Sequence, residues 1–293
     1  MRGRVAQIGR YAVKSMQGEV PGRVEVHTSG LVGDRVHAIV DVESGKIASA
    51  KDPRAWGSLF EMRAAYLGEP GVGAPLELTL ADGRRVRSDA GDLDEQLSTV
   101  FGRSVRLSAA SPEAMPLYDL VWENTDIAPE AAITGAQSGV TDEGDPISTV
   151  PAGFQAPGTF QDVAPITLLT TSALAAMKAQ HPTGDWDVAR FRPNFLIELD
   201  DESAAADVPE NGWSGRRLSV GSVVLEVTIP SPRCVMTTLA QPGLPRDRDI
   251  LKTIARANRV EVSTWGGRWA CLGAYAAVVE PGFVSVGDEV RLV

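Results

Sequence analysis

The sequence predicts an α+β protein in which β-structure dominates. Short segments of alternating apolar and polar residues recur in both halves, separated by Gly-Asp, Ser-Gly and Asp-Gly turns, while helical spacing is confined to a few short stretches. A chain of 293 residues exceeds one small domain, so two domains are expected. With 43% apolar and 23% charged residues it can bury a sizeable core without disulfide staples.

In order, RVAQIGRYAV, RVEVHT, VHAIVDV, LELTL and VRLS read as strands of the first 110 residues. Asp82-Gly83 in LELTLADGRRVRS suits a hairpin turn that needs positive φ. DLDEQLSTVFGRSV spaces Leu93, Leu97, Val100 and Phe101 as one helical face and follows them with Gly102, a stop signal. Ser111 to Pro165 holds 7 prolines and 5 glycines without periodicity, and the part over 111–160 reads as an acidic connecting loop. PITLLTTSALAAMKAQH then predicts a strand and a helix capped by Thr171 or Ser172, burying Leu174, Ala175 and Met177. FRPNFLIEL, RLSVGSVVLEVTIP, AYAAVVEPG and SVGDEVRLV predict further strands, and DRDILKTIARANR an amphipathic helix, so 161–293 forms a second β-rich domain.

Composition excludes several classes of function. The formal net charge of −10 opposes nucleic acid and anionic membrane surfaces, so any cationic site must be local. No Lys or Arg lies between Arg106 and Lys178. No run of 18 apolar residues and no signal-peptide pattern occurs, and two cysteines without CxxC spacing fit a reducing compartment, so a cytoplasmic protein is expected. Gly71-Val72-Gly73 lacks the third glycine of a dinucleotide loop, Glu43-Ser44-Gly45-Lys46 lacks the upstream glycine of a P-loop, and GxSxG and HExxH are absent. His27, His37 and His181 are scattered and read as structural or surface residues.

Cys234 stands apart. A free cysteine is ordinarily a small buried apolar residue, the reading kept for Cys271 in WACLGAY. In PSPRCVMTT, however, Arg233 places a positive charge beside Cys234, Pro230 and Pro232 end a strand, and Thr237 and Thr238 follow. This suits a nucleophile or a soft-metal ligand. Lys14, Arg35, Arg192 and Arg233 each lie beside a turn or strand end and supply donors for an anion such as phosphate.

These motifs, in order, resemble the MOSC (molybdenum cofactor sulfurase C-terminal) family with its N-terminal β-barrel domain. RYAVKSMQGE and GLVGDRVHAIVD are similar to the N-terminal domain; PITLLTTSAL, FRPNFLI, PRCVMTT, CLGAY and PGFVSVGDEV are similar to the MOSC domain. The resemblance is nearest to the amidoxime-reducing proteins. It implies an N-terminal barrel-like domain over 1–110 and a MOSC β-barrel over 161–293, with a molybdenum pyranopterin cofactor between them. Cys234 would ligate molybdenum and be the catalytic residue; Lys14, Ser15 and Arg35 would hold phosphate and pterin, with Thr171, Ser172, Arg192, Asn194 and Arg233 closing the other side. The implied activity is reduction of N-hydroxylated or N-oxide-type compounds, with electrons from a separate iron-sulfur, flavin or haem protein. The alternative is a cofactor carrier or a persulfide sulfur-transfer protein without N–O turnover. One departure is visible: the relatives follow their Thr-Thr pair with an acidic stretch, whereas here Ala240 and Gln241 come before Asp247.

Overall fold

A computed structural model describes residues 1–114, 116–121, 137–140, 146–152, 156–200 and 207–293. The chain divides into two compact units, one of Met1–Arg10, Val20–Val32 and Ala164–Val293, the other of Tyr11–Glu19 and Gly33–Val163. The N-terminal strand therefore belongs with the C-terminal strands, because β1 (Arg2–Ile8) exposes one side and turns Val5 and Ile8 into a core that the late strands complete. β2 (Arg23–His27) and β3 (Gly30–Leu31) belong to the same unit.

The second unit carries β4 (His37–Asp41), the short helix α1 (Pro53–Trp56), β5 (Arg63–Tyr66), β6 (Leu76–Thr79), β7 (Arg85–Arg87), helix α2 (Leu93–Phe101), β8 (Val105–Ala109), β9 (Leu117–Val121), β10 (Gln137–Val140) and β11 (Pro146–Pro151). The expected hairpin joins β6 to β7 with Gly83 at φ 83°, and α2 ends on Gly102 at φ 63°. β4 is buried on both faces: Ile39 packs with Leu59, Leu78 and Leu97, while Ala38 and Val40 pack with Tyr118, Leu120 and Val150. The second of these cores explains a correction. β9, β11 and β10 form a three-stranded sheet within the stretch read as a connecting loop. Its alternation is only two buried positions deep in β9, too short to stand out among prolines and acids. The acidic residues Glu123, Asp126, Glu130, Asp142, Glu143 and Asp145 lie outside the described residues.

The first unit continues with β12 (Ile166–Thr170), helix α3 (Thr171–Gln180), β13 (Phe195–Leu199), β14 (Arg217–Val220), β15 (Val223–Pro232), helix α4 (Asp249–Ala257), β16 (Arg259–Glu261), β17 (Arg268–Glu280), β18 (Gly282–Ser285) and β19 (Glu289–Leu292). Seven strands, in the order β12-β13-β1-β19-β14-β15-β17, close into a barrel through β12–β17, and only β12–β13 is parallel. The protein is thus α+β and β-rich, as expected. Closure leaves the seven strands no free edge and fills the interior with alternate side chains, including Val5, Leu168, Phe195, Ile197, Leu225, Val227 and Ala276. All five residues of β12 are buried, because its outward face, at Leu169, lies under α3 and α4 beside Met177, Ile250 and Ile254. The α3 prediction needs two corrections. Thr170 is the N-cap, its side chain accepting from the Ala173 N–H at 3.1 Å, because Thr170 keeps extended φ/ψ while Thr171 is already helical. Ala175 is exposed, and Ala173 and Ala176 share the buried face with Met177.

Candidate functional site

In the barrel unit, the chemistry gathers where β15 ends. Pro230 stays in register with Ala274 and Pro232 with Cys271, with irregularities between them, so the strand runs on through its prolines and releases the chain at Arg233. The guanidinium of Arg233 is fixed from three directions: Nε donates to Leu272 O at 2.7 Å, Nη2 to the same oxygen, and Nη1 to Phe191 O at 3.1 Å. Two of its N–H groups make no hydrogen bond to the described residues. Desolvation pushes its pKa down, against the pull of Tyr275, Cys234, Cys271 and Glu210. Gly273, at φ 81°, makes this approach possible, because a Cβ there would collide with Leu168 O and lie 2.9 Å from Arg233 Nη2.

Cys234 is half-buried and opens a single helical turn over Val235–Thr238. Its carbonyl accepts from the Thr237 N–H and hydroxyl at 3.2 and 3.1 Å, while the Thr238 hydroxyl donates to Val235 O at 2.7 Å. Both threonines are therefore used to shape the turn. Cys271 is fully buried and its thiol is pushed up to about 12 by desolvation, with Arg233 opposing, so it stays a neutral thiol.

The sequence reading missed the residue that braces this turn. Arg190 is 1% exposed, and it donates to Asp185 O at 2.8 Å, Leu239 O at 3.2 Å, Pro245 O at 2.7 Å and, at longer range, Thr237 O at 3.4 Å. Nothing in DVARFRPN marks it, since an arginine two residues before Arg192 reads as solvated until the carbonyls around it are known. Glu210 was also unmarked. It is fully buried, accepts from the Thr170 N–H at 2.6 Å, and desolvation pushes its pKa up.

The remaining predicted residues of this unit fall into two kinds. Arg192 is buried and holds φ 54°, a strained conformation for a side-chain-bearing residue. Ser172 donates to the Thr170 hydroxyl at 3.0 Å beside half-buried Thr171. Asn194 is fully buried, accepts from Thr167 N at 3.0 Å and donates to Gly9 O at 3.2 Å, so its amide ties β12 to the end of β1.

The second unit holds its own cluster of charge. Lys14 is buried, donates to Phe160 O at 3.0 Å and pairs with one oxygen of Asp162; Lys51 meets the other at 3.0 Å. Both ammonium groups lie over the Tyr118 ring, at 4.3 and 4.9 Å from its centroid, and Lys51 donates to its hydroxyl at 3.0 Å. Desolvation, against the attraction of Asp162 and with repulsion from Lys51 and Arg35, lowers Lys14 to about 8. Burial alone would raise the Asp162 carboxyl, but the two lysines hold it far below the usual carboxylate range. Arg35, at φ 50°, pairs with Asp34 at 2.5 Å and stacks on Tyr11. Asp34 is 1% exposed and accepts from Tyr11 N and Gln161 Nε2, so neither member of this turn simply faces solvent. Ser15, at φ 65°, accepts from Ala50 N at 3.1 Å.

Among the described residues no group of three or more His, Cys, Asp or Glu side chains is placed to hold a metal ion. A metal at Cys234 would take its other ligands from a cofactor, and a half-buried cysteine next to a guanidinium fixed by backbone carbonyls fits such a group.

Fold and site together define a closed β-barrel with an Arg-Cys pair at a strand end. Residues 155–291 match the model of the MOSC domain, so this part of the chain is a MOSC domain. Among solved structures it is similar to the YUAD protein from Bacillus subtilis, at 9% identity and TM-score 0.43, covering 99% of this chain and 94% of that one. It is also similar to YiiM from Geobacillus stearothermophilus, at 13% identity and TM-score 0.30, covering 56% and 73%. YiiM from Escherichia coli matches at 12% identity and TM-score 0.29, covering 44% and 54%. None of the curated proteins matches the chain. No helix among the described residues is long and apolar enough to cross a membrane.

Proposed function

We propose that this MOSC-domain protein binds a molybdenum pyranopterin cofactor and reduces N-hydroxylated or N-oxide-type compounds, taking electrons from a separate donor protein. The observation that carries the reading is backbone strain. Among the described residues the non-glycine positions with positive φ are Ser15, Arg35 and Arg192, and the resemblance assigns all three to the cofactor. Each such position costs of order 1–2 kcal/mol and persists where function requires it.

When bound, the cofactor supplies the two-electron chemistry by which an N–O oxygen leaves as water. The chain's part is to hold and tune it. Cys234 would be the protein thiolate on the metal, and Arg233 would offer its two remaining N–H groups to an anionic edge, oriented by Leu272 and Phe191 carbonyls. Arg192, Thr171 and Ser172 would contact the group directly, and Asn194 would act by tying β12 to β1. Lys14, Ser15 and Arg35 would bind its phosphate and pterin.

Molybdenum and pterin analysis of protein from a cofactor-competent host, with turnover of an amidoxime by a chemical reductant, tests this. About one molybdenum per chain and turnover, both lost in Cys234→Ser, are expected; cofactor-free, well-folded wild type overturns the reading. One observation favours the alternative of a carrier or persulfide protein. Asp247, whose amide bonds Thr238 O, uses its carboxylate on the Asp249 N–H at 2.9 Å, with His181 at 3.5 Å. Bound molybdenum without N–O turnover would select that reading.

A further inference from the structure

In a chain of net charge −10, positive charge collects on one short segment of the barrel unit. From Arg246 to Arg268 six cations stand against three acids, Asp247, Asp249 and Glu261, and all six cations are exposed. α4 turns Ile250, Thr253 and Ile254 inward, so Lys252 and Arg256, one turn apart, line its outer face. The hairpin of β16 and β17 continues the stripe: Arg259 donates to Arg268 O at 3.3 and 3.2 Å, and Arg268 donates back to Arg259 O. Lys252 pairs with Asp249 at 3.0 Å, but Arg248, Arg256, Arg259 and Arg268 make no ion pair with a described residue. Like charges on neighbouring positions oppose folding, so stability does not account for the arrangement. At the hairpin tip, where Gly266 and Gly267 take φ 67° and 83°, Trp265 meets Trp269 edge-on with ring centroids 5.4 Å apart, both partly exposed. The stripe is tied to the cysteine turn from both ends. Asp247 N donates to Thr238 O at 2.9 Å and Arg233 N to Ala270 O at 2.8 Å, and α4 packs on the turn Val235–Thr238.

We infer that Arg248, Lys252, Arg256, Arg259 and Arg268, with Trp265 at the tip, form the docking surface for the electron-donor protein, and that the donor presents an acidic face. The inference rests on the proposed reductase activity for the donor's role. Per N–O bond reduced, the donor gives up two electrons and solvent supplies two protons, the nitrogen gaining N–H as the oxygen leaves as water. A donor that must arrive, discharge and leave is served by long-range attraction across a small interface, which a local basic stripe provides. Arginine and tryptophan are also the residues that most often anchor such contacts. An extended polyanion is disfavoured, because the rest of the chain carries the excess of acid and would repel whatever ran past the stripe.

The test uses the cofactor-loaded full chain, an acidic plant-type ferredoxin as donor and reduced methyl viologen as a small control reductant. Ferredoxin-driven turnover of an amidoxime should lose about tenfold in kcat/KM, through KM, in Arg256→Glu/Arg259→Glu. In wild type it should fall as ionic strength rises from about 0.01 to 0.15 M and the screening length shrinks from about 30 to 8 Å. Trp265→Ala should slow the ferredoxin reaction alone, and dye-driven turnover should stay the same throughout. Equal ferredoxin-driven rates in variant and wild type, or equal losses with both reductants, overturn the inference. If Arg259 is needed for the hairpin to fold, Arg248→Glu/Arg256→Glu gives the same reading from the helix alone. Calorimetric binding of ferredoxin separates this surface from the proposed function. Salt-sensitive binding that charge reversal weakens, in a protein without N–O turnover, keeps the surface and removes the reductase reading, whereas dye-driven turnover without ferredoxin binding does the reverse. Tighter binding of a single-stranded oligonucleotide than of ferredoxin through the same arginines assigns the stripe to nucleic acid and overturns the inference.

Discussion

Replacing Arg190 with methionine should loosen the Cys234 turn more than any change at Cys234 itself. The guanidinium joins Asp185 O to Leu239 O and Pro245 O at 2.7–3.2 Å, with Thr237 O at 3.4 Å, so it pins three points of the chain that follows the cysteine. Hydrogen bonds from a charged donor contribute about 1.5–3 kcal/mol each, but the charge has already lost its water, and desolvation holds the Arg190 pKa below its ordinary value. The terms therefore do not sum, and the loss expected from leaving these buried carbonyls without their donor is about 1–3 kcal/mol. Methionine fills the volume of the stem but leaves these carbonyls without their donor. Urea unfolding monitored by tryptophan fluorescence reads the stability, and the labelling rate of Cys234 with a chromogenic disulfide reads the turn. The rate should rise at urea concentrations far below the unfolding midpoint. Stability within about 0.5 kcal/mol of wild type, with unaltered labelling, would refute the bracing role.

Three further outcomes are expected. Gly273→Ala combines positive φ with a collision at Leu168 O and displacement of Arg233, so it should destabilise by at least about 1 kcal/mol and lower cofactor retention together, measured by urea unfolding and metal content. At pH 8, a thiol reagent should label one cysteine of the native protein, half-buried Cys234, and reach Cys271 only on unfolding, which mass spectrometry of peptides resolves. Sulfate, whose charge is constant across the range, should bind the second unit with an affinity that is flat below about pH 8 and falls above it as Lys14 loses its proton among Asp162, Lys51, Arg35 and Tyr118. The same depressed lysine binds fewer protons folded than unfolded between about 8 and 10.5, so its contribution to stability rises with pH across that window.

Much of the fold was legible because it is written in local pattern. The hairpin at Asp82-Gly83, the stop of α2 at Gly102 and most barrel strands follow from alternation and turn chemistry, which need no distant partner. The sheet of β9, β11 and β10 was illegible because its strands are short and its buried positions few. Cys234 stood out for its neighbours Arg233 and Thr237, both local in sequence. Arg190, Glu210, Lys51 and Asp162 did not, because each acquires its role from atoms tens of residues away.

Sequence alone therefore determined the β-rich class, the MOSC resemblance and which cysteine merits attention, since these depend on residue type and short-range spacing. Tertiary structure decided that β1 belongs to the C-terminal barrel, that Arg190 braces the cysteine turn and that Asp162 bridges Lys14 and Lys51. Strand pairing, burial of charge and the meeting of opposite charges are properties of three-dimensional proximity, and a linear pattern records the residues available for them without recording which ones meet.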